Sequence, residues 1–180
     1  MQRTVKYIIC TFLATAFLTS CSDKVSLQRY FVDHQESANF ITQDLPLSMI
    51  KIDETKFNQH QKEAYKSVKR LNFLGYKANE GNEAAYQEEL TKVKSILSDK
   101  QYNELITFNN NGNKIQVTYV GDDDVADEVI VFGNSKDLGF AVVRILGKDM
   151  SPDKMMTLAT VLNDVDVEET QVKDIINFFK

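Results

Sequence analysis

The spacing of the apolar residues changes near residue 105, and this change is the strongest constraint on the fold. Before it, four apolar side chains recur at the spacing of one helix face: Tyr86, Leu90, Val93 and Leu97. After it, apolar and polar residues alternate, as in the run Ile115-Gln116-Val117-Thr118-Tyr119. The helical period predicts a helix over residues 83–98 that packs on one side, and the alternation predicts strands.

The second half of the chain predicts an antiparallel meander. Its apolar runs lie at 105–108, 115–120, 128–132 and 140–146, and the segments between them are short and rich in Asn, Asp and Gly. These residues tolerate the backbone conformations that tight turns require. Strands joined by such short turns pair antiparallel, because a parallel pair needs a long crossover connection.

The first half predicts a brief helix over 27–35, an extended segment over 40–50, a helix over 53–66 and a strand over 71–76. Pro46 confines a strand in the extended segment to a sheet edge, because proline has no N–H to donate. After the meander, Ser151-Pro152-Asp153 predicts the start of a helix that ends near residue 162.

A final helix is predicted near the C-terminus, where Asp166 and Glu169 resemble a capping box. Four apolar residues then share one helical stripe: Val172, Ile175, Ile176 and Phe179.

With 180 residues, 43% of them hydrophobic, the chain is long enough to bury a core. We therefore expect a single α+β domain over residues 27–180, an antiparallel sheet with helices packed on one face.

The first twenty residues predict a lipoprotein signal peptide. Arg3 and Lys6 precede an uncharged apolar stretch over 7–18, which is too short to span a bilayer but suits the core of a signal peptide. The following Leu18-Thr19-Ser20-Cys21 resembles the bacterial lipobox. We expect the signal peptidase to recognise residues 18–20, Cys21 to carry the lipid, and residues 21–26 to form an acylated tether. The alternative is a plain signal peptide whose cleavage site neighbours a cysteine.

Lipidation would leave the mature chain without a free thiol. Cys10 and Cys21 are the two cysteines of the chain, and Cys10 would leave with the signal peptide. Cysteine catalysis and cysteine-ligated metals are then excluded. A net charge of −5 and the absence of a basic run argue against a nucleic-acid partner. The expected attachment is to a membrane, through the N-terminal lipid.

The most conspicuous polar feature is an acidic cluster between two predicted strands: Asp122, Asp123, Asp124, Asp127 and Glu128. Carboxylates are calcium ligands, so calcium binding is one hypothesis. Consecutive acids point in different directions, however, and a solvated turn is the favoured interpretation.

We interpret His34 and His60 as surface or boundary residues, and the pairs Glu88-Glu89 and Glu168-Glu169 as helix-surface acids. Because no Gly-x-Ser-x-Gly or phosphate-binding glycine pattern is present, we expect neither a catalytic site nor a cofactor.

Five segments carry a resemblance to a known family: YFVDHQE at 30–36, VKRLNFLGY at 68–76, GDDD at 121–124, DEVIVFG at 127–133 and GFAVVRILG at 139–147. The chain resembles the Bacteroidota lipoproteins classed as domain of unknown function 4252. The resemblance implies a cell with two membranes and an outer-membrane anchor, but it implies no site residues. In such cells, some lipoproteins with acids close after the lipidated cysteine are moved to the cell surface. Ser22-Asp23-Lys24 holds a single acid, which favours the periplasmic face.

The leading hypothesis is a non-enzymatic envelope lipoprotein that binds a protein partner or serves in an envelope assembly. The first alternative is a periplasmic lipoprotein that binds a small ligand or calcium. The second is a hydrolase with an unrecognised pair of acids.

Overall fold

The computed structural model describes residues 25–49, 54–110, 113–122 and 124–163. The predicted signal peptide, Cys21, Asp123 and the predicted final helix lie outside the described residues. None of the described helices combines the length and the hydropathy that crossing a membrane would need.

Four α-helices and six strands make up the described part of the chain. In chain order they are α1 Leu27–Asp33, β1 Phe40–Pro46, α2 Gln59–Ser67, β2 Val68–Lys77, α3 Glu83–Leu97, β3 Asn103–Asn110, β4 Asn113–Gly121, β5 Ala126–Ser135, β6 Gly139–Met150 and α4 Pro152–Asn163. Two short 3₁₀ turns, Leu47–Met49 and Glu54–Lys56, lie between β1 and α2.

The strands form one open antiparallel sheet in the order β1-β2-β6-β5-β4-β3. Strands β3 to β6 are the predicted meander, and β2 continues the sheet from β6. Strand β1 pairs with β2 alone and forms the edge, where Pro46 lies opposite Arg70. The predicted fold class, α+β with an antiparallel sheet in a single domain, is confirmed.

Helices α1 and α3 cover the first face of the sheet. Leu74 on β2, Val142 on β6 and Phe132 on β5 lie side by side in register and are buried. The predicted stripe of α3 packs over them, and all four of its members are buried: Tyr86, Leu90, Val93 and Leu97. The one-sided packing predicted for this helix is therefore confirmed.

Helices α2 and α4 pack over part of the second face. The expectation that helices pack on one face therefore holds for α1 and α3 but not for α2 and α4. Leu71, Ile145 and Val129 lie in register on this face and belong to a core cluster with Tyr65 of α2 and Leu158 of α4. The run Val129-Ile130-Val131-Phe132 supplies apolar side chains to both faces in alternation. A strand with such a run is apolar on both sides and needs cover on both.

Helix α2 begins six residues later than the sequence predicts, at Gln59 instead of residue 53. Asn58 caps it through a reciprocal pair of hydrogen bonds, because its side chain accepts the N–H of Gln61 at 2.9 Å and its own N–H donates to Gln61 Oε1 at 2.9 Å. This capping box outweighs the acidic residues at 53 and 54, which predicted an earlier start. Strands β2, β5 and β6 also extend beyond the predicted apolar runs.

Candidate functional site

A groove of about 890 Å³ lies between α1 and α3. Val25, Ser26 and Tyr30 line one side of it, and Lys92, Ser95 and Ile96 of α3 line the other. The lining is mixed, with aliphatic, hydroxyl and ammonium groups that all reach the same space. The groove is a concave surface beside Val25 and Ser26, at the end of the predicted tether.

Helix α1 begins at the end of the predicted tether because Ser26 caps it. The Ser26 side chain accepts the backbone N–H of Arg29 at 3.2 Å. The helix buries Leu27, Tyr30 and Phe31 against the first face of the sheet. The cap and the buried side chains together hold the start of the domain against the sheet and α3, beside the groove.

A polar cluster around Glu89 joins α1 to α3 at the groove. The Tyr30 hydroxyl donates to Glu89 Oε2 at 2.7 Å, Lys92 Nζ lies 2.8 Å from Glu89 Oε1, and His34 Nε2 lies 3.4 Å from Glu89 Oε2. The Glu89 side chain is 13% exposed. Because a carboxylate removed from water needs donors, the cluster explains how an acid is tolerated on this side of α3.

His34 is held in one orientation within this cluster. Its Nδ1 donates to the backbone carbonyl of Tyr30 at 2.7 Å. Its ring lies 4.2 Å from the Tyr30 ring and 4.4 Å from the Phe40 ring, between centroids. The interpretation as a boundary residue suits its position, but the sequence reading missed its carboxylate neighbour.

Burial raises the pKa of Glu89, but the hydrogen bonds from Lys92 and Tyr30 and the charges of Lys92 and His34 outweigh it, so the pKa lies below its ordinary value. Burial, the hydrogen bond to Glu89 and the Glu89 charge raise the pKa of the Tyr30 hydroxyl. Glu89 is thus ionised and Tyr30 protonated at neutral pH. A general acid or base works best when its pKa lies near the working pH, and these shifts move both groups away from it.

The acids Glu88 and Glu89 do not face one another; instead both contact Lys92. Lys92 Nζ lies 2.7 Å from Glu88 Oε1 as well as 2.8 Å from Glu89 Oε1. Glu88 is 68% exposed, in contrast with Glu89. The sequence indicates this difference in exposure. Glu89 lies three residues after the buried Tyr86 and four before the buried Val93, so it shares their side of the helix.

The acidic segment is divided by the structure. Glu128 points to the first face, where both its oxygens bind the Arg144 guanidinium, one of them at 3.0 Å from Nη2. Asp122 closes the turn through its backbone N–H, which donates to the Val125 carbonyl at 2.9 Å. Within the described residues, no three His, Cys, Asp or Glu side chains lie close enough to hold a metal ion.

His60 lies on the surface, far from the groove. Its Nε2 is 2.7 Å from Asp153 Oδ2, so it joins the start of α2 to the start of α4. The two side chains are 59% and 75% exposed, and an ion pair so exposed contributes little.

The fold and the groove define a small α+β domain whose antiparallel sheet carries helices on both faces. A model of a protein family described as a domain of unknown function, number 4252, matches residues 31–158. The chain belongs to this family. Neither a curated protein nor a solved structure matches the chain.

Proposed function

We propose that this protein is a non-enzymatic lipoprotein of the cell envelope that binds a protein partner in the groove between α1 and α3. The observation that carries the proposal is the position of the groove beside the tether. Val25 and Ser26 form part of its wall, four and five residues after Cys21. Four extended residues span about 14 Å at most, so a lipid on Cys21 would keep the groove next to the membrane.

The chemistry of the groove suits a polypeptide better than a reaction. Val25 is 51% exposed and, together with Ile96, offers apolar contact, while Ser95 and Lys92 offer donors at the same surface. In the polar cluster beside the groove, Glu89 already accepts hydrogen bonds from Tyr30 and Lys92. These features support binding and do not supply a nucleophile.

We propose further that the anchor lies in the outer membrane and that the domain faces the periplasm. The support is the lipobox and the single acid after Cys21 in the sequence. Separation of the membranes by density, followed by protease treatment of whole and of opened cells, tests the location. Cleavage in opened cells alone is the expected result, and cleavage in whole cells would place the domain on the surface.

The partner is tested by crosslinking the tagged, lipidated protein in its native envelope and identifying what is captured. Ser95→Arg should block the groove, since Ser95 is exposed and lines it. Gln59→Arg is the matched control, because Gln59 is also exposed but lies on α2. Cys21→Ser is the control for membrane attachment.

The expected result is one partner at near-equal amount, captured with the native chain and with Gln59→Arg but lost with Ser95→Arg and with Cys21→Ser. A partner that Ser95→Arg retains would show that the binding surface lies elsewhere. Capture of no partner by the native chain would refute the interaction proposal.

A small-ligand-binding lipoprotein is the second candidate. The specific observation in its favour is the groove volume of about 890 Å³, since ligand sites commonly enclose about 300–1,000 Å³. Native mass spectrometry of the protein released gently from its membrane distinguishes the two candidates. A bound mass that Ser95→Arg removes, without a protein partner, would favour the small ligand.

A further inference from the structure

The second face of the sheet is covered over only part of its area. Beyond the row of Leu71, Ile145 and Val129, the same face continues along the strands and remains apolar. We call this area the open half-face, and six side chains define it: Ile106, Phe108, Ile115, Val131, Ala141 and Val143. Their register places them on one side, because Val117 faces Ile106 and Val131, and Val131 faces Val143.

The open half-face is exposed in the described part of the chain. Phe108 is 57% exposed, Ile115 49% and Ile106 43%, and Val131 and Val143 are half-buried. A Cβ built at Gly133, in the same row as Ile115, would meet no atom within 4 Å. A solvated sheet face is normally polar at these alternate positions, so an apolar one indicates a surface that is covered in the working protein.

The chain itself carries a segment that fits. Helix α4 packs on the second face and ends at Asn163, which leaves residues 164–180 to follow from that face. The sequence of this segment predicts an amphipathic helix with one apolar stripe: Val172, Ile175, Ile176 and Phe179. Such a stripe is stable only when it is packed against another apolar surface.

The distances allow the contact. Residues 164–171 span at most about 27 Å when extended. The covered row at Ile145 and the open row at Ala141 are four residues apart along β6, which is about 13 Å. The connection is thus longer than the path, and the stripe can reach the open half-face with residues to spare.

We propose that residues 164–180 form a helix that folds back onto the open half-face and buries its stripe there. The occupant is this segment of the same chain, and not a second copy or a partner. The groove between α1 and α3 lies on the opposite face of the sheet, so this proposal is independent of the proposed function.

Thiol reactivity tests the proposal on the sheet side. The chain from Ser22 to Lys180 holds every described helix and strand and has no cysteine, so a single introduced cysteine is the only thiol. Val131→Cys lies on the open half-face. Leu138→Cys is the control, because Leu138 is 52% exposed at the turn between β5 and β6. Each is measured with a maleimide in the chain that ends at Lys180 and in one that ends at Asn163.

The expected result is at least tenfold slower labelling of Val131→Cys in the longer chain, with equal rates for Leu138→Cys in both. Ile176→Asp in the longer chain should restore fast labelling without a truncation, which covers the case in which the shorter chain fails to fold. Equal rates for Val131→Cys in both chains, or no effect of Ile176→Asp, would overturn the proposal.

Fluorescence tests the proposal on the side of the segment. The chain contains no tryptophan, so Phe179→Trp is a unique probe on the stripe and Asn177→Trp is its control on the opposite side of the predicted helix. We expect blue-shifted emission that resists quenching by iodide for Phe179→Trp, and solvent-like emission for Asn177→Trp. Solvent-like emission from both would overturn the proposal.

The same experiments identify a different occupant. Protection that disappears on dilution, together with a doubled mass in size-exclusion chromatography, would assign the open half-face to a second copy and refute the intramolecular contact. Protection that is independent of concentration in a monomer is the expected result.

Discussion

Arg144 on β6 and Glu128 on β5 form a two-pronged ion pair beneath α1, and neither side chain is more than 15% exposed. The Arg144 guanidinium also lies 5.4 Å from the centre of the Phe31 ring, so the pair joins the sheet to the first helix. The pair gives Glu128, an acid of the cluster considered for calcium, a structural partner.

Removal of one member of this pair should destabilise the fold. Glu128→Gln keeps the shape but leaves the buried guanidinium without its counter-charge, and we expect a loss of about 3 kcal/mol in the free energy of unfolding. Replacement of both residues, as Glu128→Leu with Arg144→Met, should cost less than the single change, because no buried charge remains. Urea denaturation of the three chains checks this. A double variant that loses as much stability as Glu128→Gln, or more, would contradict it.

Glu89 should make the stability depend on pH in the acidic range. Its pKa in the folded chain lies below its ordinary value of 4.5, so the ionised form is favoured by folding. The stabilisation is therefore complete above about pH 4.5 and is lost as the pH falls through the folded pKa. We expect Glu89→Gln to be less stable than the native chain at pH 7, by about 1–3 kcal/mol.

The control for this prediction is Glu88→Gln, because Glu88 shares Lys92 but is 68% exposed. Denaturation curves at pH 7, 4.5 and 3.5 should show the difference between the native chain and Glu89→Gln shrinking as the pH falls. A constant difference across this range, or an equal effect of Glu88→Gln, would show that the carboxylate charge is not the cause.

Calcium should leave the thermal stability of the protein unchanged. Glu128 is engaged by Arg144, and among the described residues no group of three acids converges to hold an ion. A ligand that binds only the folded state stabilises it by RT ln(1 + [L]/Kd), so Tm rises once the ligand concentration exceeds Kd. Millimolar calcium should thus give no shift in a thermal melt of residues 22–180. A rise in Tm that Asp123→Asn abolishes would restore the calcium hypothesis.

The one-sided stripe of α3 and the meander could be predicted because their signals are local. Each depends on the spacing of apolar residues within a single element or hairpin. The start of α2 was misplaced because two local signals competed, acids at 53–54 and the Asn58 capping box, and their balance is not visible in the spacing. The unbroken apolar run Val129-Ile130-Val131-Phe132 indicated that both faces of the sheet are covered. A strand buried on one side alone would alternate apolar and polar residues instead.

The polar cluster of the groove could not be predicted in the same way. His34 and Glu89 lie 55 positions apart, and their approach depends on how α1 and α3 pack on the sheet. A composition-based argument treats both as surface residues, because histidine and glutamate are mostly exposed. The available sequence signal was the helix face: His34 lies one turn after the buried Tyr30, and Glu89 lies one turn after the buried Tyr86.

Gly139 and Gly133 provide a matched test of the strand geometry. Gly139 has a φ of +110°, and a Cβ there would lie 1.9 Å from the Tyr76 carbonyl oxygen. Gly139→Ala must therefore displace β2 from β6 at the end of the sheet, and we expect a loss of at least about 2 kcal/mol. Gly133 has an ordinary φ and open space at its Cβ, so Gly133→Ala should change the stability by no more than about 0.5 kcal/mol. Urea denaturation of the two variants side by side checks the contrast. A Gly139→Ala chain as stable as the native one would mean that β6 does not approach Tyr76 as closely as this register requires.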